Sequence, residues 1–141
     1  MNILYPTGQT RNFYERNMQV VNREYNGSGV APHGPTTAWT YTCPAGRRAF
    51  ICSFCGWLVR ATAATTAGQA DIRFYHYDGA QGAAMCYALE NQNTPFQWKY
   101  AMGSTGVWLT AGQTFHFDHE DGSTGGTYNI YGSAQILEFD A

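Results

Sequence analysis

Residues 107–141 read VWLTAGQTFHFDHEDGSTGGTYNIYGSAQILEFDA, and the way this stretch alternates sets the fold class expected for the chain. From 114 to 120 the residues take turns, with Phe115, Phe117 and His119 on one side and Thr114, His116, Asp118 and Glu120 on the other. That period of two is a half-buried β-strand with one wet face. The six residues DGSTGG at 121–126 supply the positive φ angles that a tight reversal needs, so the chain is expected to turn and return antiparallel. On the return strand, 127–139, Tyr128, Ile130, Ala134 and Ile136 share one parity, whereas Leu137 and Phe139 take the other. The change predicts a bulge or a change of sheet near Gln135. Upstream, LTAGQ at 109–113 reads as an edge turn delivering the chain into the Phe115 strand.

The same logic extends backwards. Residues 38–43 form a strand, Pro44-Ala45-Gly46 a turn, and 48–60 a long strand whose faces are both apolar: Phe50, Cys52, Phe54 and Leu58 against Ala49, Ile51, Cys55, Trp57 and Val59. Both faces must then be covered, one of them by another subunit or by the N-terminal segment folding back. Ile51, Cys55, Trp57 and Val59 are the expected oligomer interface. Further strands are expected at 70–77, 83–89 and 96–102, separated by Asp78-Gly79, a break at 91–95 and GSTG at 103–106. About eight strands at this spacing predict an all-β, antiparallel β-sandwich of jelly-roll type over residues 37–141.

Residues 1–36 differ. They carry Pro6, Pro32 and Pro35 with many Asn and Arg and little alternation, and read as an extended N-terminal arm. Tyr14, Met18, Val21 and Tyr25 fall at helical spacing and predict a short helix. Asn12, Asn17, Asn22 and the Val20-Val21 pair favour instead an extended segment, with Tyr5, Phe13 and Tyr14 anchoring on a neighbouring subunit.

A chain of 141 residues suits one domain, and 13% charged against 16% aromatic residues describes a β-rich body, not a disordered one. A net charge of -2 gives no electrostatic reason to bind nucleic acid or an anionic membrane. No basic stretch followed by an apolar one opens the sequence, and no apolar run approaches the roughly 20 residues that span a bilayer. A soluble protein, made and used without secretion, is therefore expected. Cys43, Cys52, Cys55 and Cys86 read as reduced, buried thiols, with a Cys43–Cys52 bridge across the first hairpin left open.

Little chemistry is written in the sequence. Cys52 and Cys55 have CxxC spacing, but inside an extended apolar strand they point to opposite faces, unlike the knuckles of zinc and redox sites. His116, Asp118, His119, Glu120 and Asp121 form a dense polar cluster without the D-x-D-x-D-G pattern of a calcium loop, and a solvated strand end accounts for it. His76 reads as a hydrogen-bonded core histidine, and His33 carries no signal. With no G-x-S-x-G, phosphate loop or HExxH, no catalytic residue, metal or cofactor is expected.

TCPAGRRAFI, then LTAGQTFHF, then STGG and a closing strand ending EFDA resemble small structural proteins of tailed bacteriophages, among them capsid decoration (cement) proteins. The LTAGQ turn is also similar to the L-x-x-G-D turn of tumour-necrosis-factor and C1q-like trimeric jelly rolls, with Gln113 standing where those carry Asp. The resemblance implies a non-enzymatic virion structural protein that stabilises an assembled shell by bridging neighbouring subunits. It implies a homo-oligomer, a trimer, whose partners are the major capsid protein or other virion proteins, with assembly in the host cytoplasm and no nucleic acid or membrane partner. The alternative is a carbohydrate- or receptor-binding module of a phage tail or fibre, using Tyr75, Tyr77, Trp98 and Tyr100 as an aromatic platform. An enzyme on this scaffold would need His76, His116 and His119 to converge.

Overall fold

The late strands of the chain lie between the early ones, and this interleaving makes the architecture. The structure is a computed structural model that describes residues 2–4, 10–12, 17–66, 68–77, 82–90, 98–103 and 107–141, the side chains being described for 17–66, 68–77 and 107–141. The strands are β1 (Asn2–Leu4), β2 (Thr10–Asn12), β3 (Gln19–Val30), β4 (His33–Thr42), β5 (Arg47–Thr62) and β6 (Ala70–Tyr77), then β7 (Gly82–Glu90), β8 (Trp98–Gly103), β9 (Trp108–Thr110), β10 (Thr114–Asp121) and β11 (Thr127–Asp140). Among the described residues there is no helix. One layer runs β4-β10-β6-β7 and the other β3-β11-β5-β8, with β9 also on β5 and β1 paired with β2 in a separate ribbon.

Strand β8 pairs with Phe54 to Val59 of β5 and β9 with Arg48 to Phe50, while Ile51 N donates to Val107 O at 3.0 Å between them. β8 and β9 thus line up along β5, and with the two taken together the described residues form an antiparallel jelly-roll sandwich of eight strands, as the alternation predicts. β10 and β11 do not pair with each other: β10 lies between β4 and β6, and β11 between β3 and β5. The glycine-rich turn between them therefore crosses from one layer to the other. Gly125 and Gly126 adopt φ of 67° and 75° there, and a Cβ on Gly126 would meet the carbonyl oxygen of Thr62 at 2.7 Å.

The two layers close on Ile51, Phe54, Leu58, Ile72, Phe74, Phe115, Phe117, Ile130 and Ile136, all buried. Strand β10 keeps the expected sides, with Phe115, Phe117 and His119 inward. Strand β5 does not. Ser53 pairs with Gln135 but Ile51 pairs with Ile136, so Cys52 is an extra residue on β5. This bulge reverses the parity of the strand, and Ala49 and Ile51 face the same core as Phe54 and Leu58. Ile51, expected at an oligomer interface, is fully buried. The register shift falls at Gln135 as expected, but β11 itself keeps its phase, with Ile136 and Glu138 inward and Leu137 outward. Glu138 is accommodated by the Tyr41 hydroxyl, which donates to it at 2.8 Å, and by Arg47 at 3.6 Å. Burial and this carboxylate push the Tyr41 phenol well above its ordinary pKa.

The sandwich also reaches further toward the N-terminus than its alternation predicts. Residues 19–36, expected in the arm, are β3 and the start of β4, and β3 replaces the helix expected through Val21 and Tyr25. As an edge strand paired among the described strands only to β11, β3 buries few side chains, so Asn22, Glu24 and Asn26 face water and mask the period of two.

Candidate functional site

Register places Val20 of β3 opposite Leu137 of β11, Leu137 opposite Phe50 of β5, and Phe50 opposite Trp108 of β9. Directly paired residues point to the same side of a sheet, so these four apolar side chains form one row across four strands on its outer face. Val20 and Trp108 each keep 51% of their surface exposed. The Phe50 and Trp108 ring centroids lie 5.1 Å apart, and Trp108 covers Phe139 at 5.7 Å. The Arg48 guanidinium sits 5.8 Å from the Trp108 centroid, a cation–π contact that holds the indole in place.

Toward the other end of the same face, Trp57 stacks on Tyr131 with centroids 5.9 Å apart and planes at 19°. Cys55 is exposed and its Sγ lies 3.3 Å from the Ser133 hydroxyl. Between the aromatic pair and the apolar row runs a groove of about 720 Å³ lined by Asn22, Glu24, Ser53, Cys55, Ser133 and Gln135. Of the expected interface residues, then, Cys55 and Trp57 reach this surface, Val59 is 4% exposed on the same side and Ile51 is inside. The row itself is not among the expected interface residues, although Leu137 and Phe139 stand out in the sequence as apolar residues of the other parity and Phe50 lies on a strand apolar on both faces. Tyr5, Phe13 and Tyr14 lie outside the described residues.

The end of the sandwich where β10 crosses to β11 is polar and buried. Arg60 donates to Asp121 at 2.8 Å and to Ser123 Oγ at 2.9 Å, and the Ser123 amide donates to Asp121 at 2.9 Å. Nearby, Arg73 bridges the carboxylates of Asp71 and Glu120, each at 2.8 Å. Tyr128 Oη lies 3.1 Å from His119 Nδ1 and 2.7 Å from His33 Nε2. Burial lowers the His119 pKa to about 4, with the neighbouring His33 acting in the same direction. His33, Glu120, Asp121 and Ser123 border an open cleft of about 420 Å³.

The three histidines that catalysis would need do not meet. His116 faces outward, stacked on Tyr75 at 5.2 Å, while His119 lies inside against Tyr25 and His33. His76 pairs with Phe115 in register, four residues along β6 from the Ile72–His119 pair. Tyr75 and Tyr77 belong to the four-stranded layer and Trp98 and Tyr100 to the other, so the expected aromatic platform is divided between sheets. Cys43, Cys52 and Cys55 are free thiols, and Cys43 lies against the carbonyl oxygen of Arg47 at 3.4 Å.

No protein-family model and no curated protein matches the sequence. Among solved structures the chain is similar to the SPBc2 prophage-derived protein YomS, at 13% identity over 83% of this chain and 95% of that one with a TM-score of 0.43. It is similar to the globular domain of zebrafish complement 1qA protein at 13% identity, over 88% of this chain and 96% of that one, with a TM-score of 0.47. Dimeric latent PorU from Porphyromonas gingivalis shares 9% identity over 87% of this chain and 13% of that one, with a TM-score of 0.52. At these identities the likeness is one of fold.

Proposed function

We propose that this protein is a non-enzymatic virion structural protein, a capsid decoration protein of a tailed bacteriophage, that self-associates and bridges neighbouring subunits of the shell. The apolar row Val20–Leu137–Phe50–Trp108 carries this reading. Among the described residues a row of this kind leaves apolar area in water, and fully burying one such side chain is worth roughly 1.5–3 kcal/mol. Covering it with a neighbour adds free energy to the assembled state alone, which is how a decorating subunit resists dissociation of a shell. Cys55 and Trp57 extend the contact along β5, and Tyr5, Phe13 and Tyr14 of the arm reach the next subunit. The self-associated state is a trimer, and repeated copies on a symmetric shell add avidity without a tight single contact. The virion attribution rests on the resemblance of TCPAGRRAFI, LTAGQTFHF and STGG to phage structural proteins.

The test is sedimentation of the purified protein alone and mixed with undecorated capsids. Trimers that move with the particles and protect them from heat or chelator support the reading. A monomer that stays in the supernatant with every particle preparation overturns it.

A further inference from the structure

The histidine pair at the β3–β4 end has a hydrogen-bond arrangement in which each proton can be assigned. His33 Nδ1 lies 2.5 Å from the carbonyl oxygen of Gly34, which can only accept, so the Nδ1 proton is on His33. In the neutral ring the Nε2 lone pair is then free to accept from the Tyr128 hydroxyl at 2.7 Å. The Tyr128 oxygen in turn accepts from His119 Nδ1–H at 3.1 Å. One directional chain, His119 to Tyr128 to His33 to Gly34, thus ties β10, β11 and the start of β4 together. Tyr25 brings in β3, its ring stacked on His119 at 5.4 Å. His119 is 4% and Tyr128 1% exposed, whereas His33 borders the open cleft, so a proton has a way in at one end of the chain.

We propose that His33, Tyr128 and His119 form an acid-sensitive latch that holds β3 and the β3–β4 corner on the sandwich. A proton added at His33 Nε2 turns the terminal acceptor into a donor. Tyr128 must then either leave its own buried proton without a partner or donate it to His119 Nδ1, which requires His119 to move its proton to Nε2. A second proton places an imidazolium at buried His119, its ring centroid 4.7 Å from that of the half-buried and already charged His33. Among the described residues most of the surrounding charges are already committed, although the Asp118 carboxylate partly favours a charged His119. Asp121 is taken by Arg60 of β5, Asp118 by Thr37 of β4 and by His116, and Asp71 and Glu120 by Arg73 of β6. Unpaired charge in such a setting is relieved by letting water in, and the element released at least cost is the edge strand β3, which among the described strands pairs with β11 alone. This device is independent of how the outer face is used.

Two measurements on the full chain decide it. Long-range proton–nitrogen spectra of the histidine rings at about pH 7 should show neutral His33 and His119, both carrying Nδ1–H. Hydrogen exchange, corrected for its intrinsic pH dependence, should show protection of residues 19–36 falling about tenfold more than that of residues 47–62 as the pH drops from about 7 to about 4.5. His33→Gln, whose amide oxygen still accepts from Tyr128, should move that local loss to lower pH. His119 found with Nε2–H or charged at neutral pH overturns the latch. So does joint loss of both segments, or an unchanged midpoint in His33→Gln.

Discussion

Arg60 and Asp121 form a two-pronged ion pair from which water is excluded, Nη1 to Oδ2 at 2.8 Å and Nη2 to Oδ1 at 3.4 Å, with neither side chain exposed. The pair joins β5 of one layer to the end of β10 in the other. It closes the end of the sandwich at which the chain crosses between layers.

Removing one partner leaves the other as an uncompensated interior charge. Asp121→Asn or Arg60→Met should each destabilise the fold by about 3–5 kcal/mol, while the double replacement Arg60→Met with Asp121→Leu recovers part of the loss. Urea unfolding of the three variants checks this. Equal or greater loss in the double variant would contradict the role of charge imbalance.

Gly132 gives Phe117 its place: a Cβ at Gly132 would lie 2.5 Å from two atoms of that ring. The neighbour is the body of a buried aromatic with no room to retreat, and Trp39 donates to the Gly132 carbonyl at 3.3 Å just beside it. Gly132→Ala should cost about 1–3 kcal/mol and lower the melting temperature accordingly.

Stability should also depend on acid. The His119 pKa is lowered in the fold to about 4 from an ordinary 6.5, so the folded state favours the neutral ring. The associated stability is complete above about pH 6.5 and is lost as the pH falls toward 4, with a ceiling of roughly 3 kcal/mol for this group. Unfolding free energies of the native chain and His119→Gln, compared across that window, should converge at its acid end. Parallel curves would show that His119 contributes nothing to the slope.

The outer row predicts a separation between assembly and folding. Val20→Ser and Trp108→Ser should abolish self-association, and Val20→Ser should change monomer stability by less than about 1 kcal/mol because half of that side chain is already in water. Light scattering and thermal melts on the same samples read both quantities. Intact oligomers in the double variant would exclude this row as the contact.

How much of this could be seen in the sequence varied with burial. Strand β10 was legible because one side is buried and the other wet, which writes Phe115, Phe117 and His119 against polar neighbours. Strand β5 misled, since the extra Cys52 shifts phase without leaving a glycine or proline to mark it, and the parity count then sends Ile51 outward. Strand β3 was illegible for a different reason: its outward positions after Val20 are polar, and Gly27 takes a buried inward one, where a Cβ would come within 2.9 Å of Ile130. The contact between His33 and His119 spans most of the chain and is made by topology, so no local pattern announces it. Leu137 and Phe139 carried the correct signal under the wrong explanation, because apolar residues on an outward parity mark a surface as readily as a bulge.

Cys52 has one more effect, on how such chains evolve and are aligned. A single inserted residue absorbed in mid-strand lets the segment before it and the segment after it present opposite odd and even positions to the same interior. Losing that residue would turn residues 47–51 inside out unless a compensating insertion appeared nearby. Distant sequences of this shape can therefore agree on every side chain that lines the interior and still fall out of step by one column halfway along their longest strand.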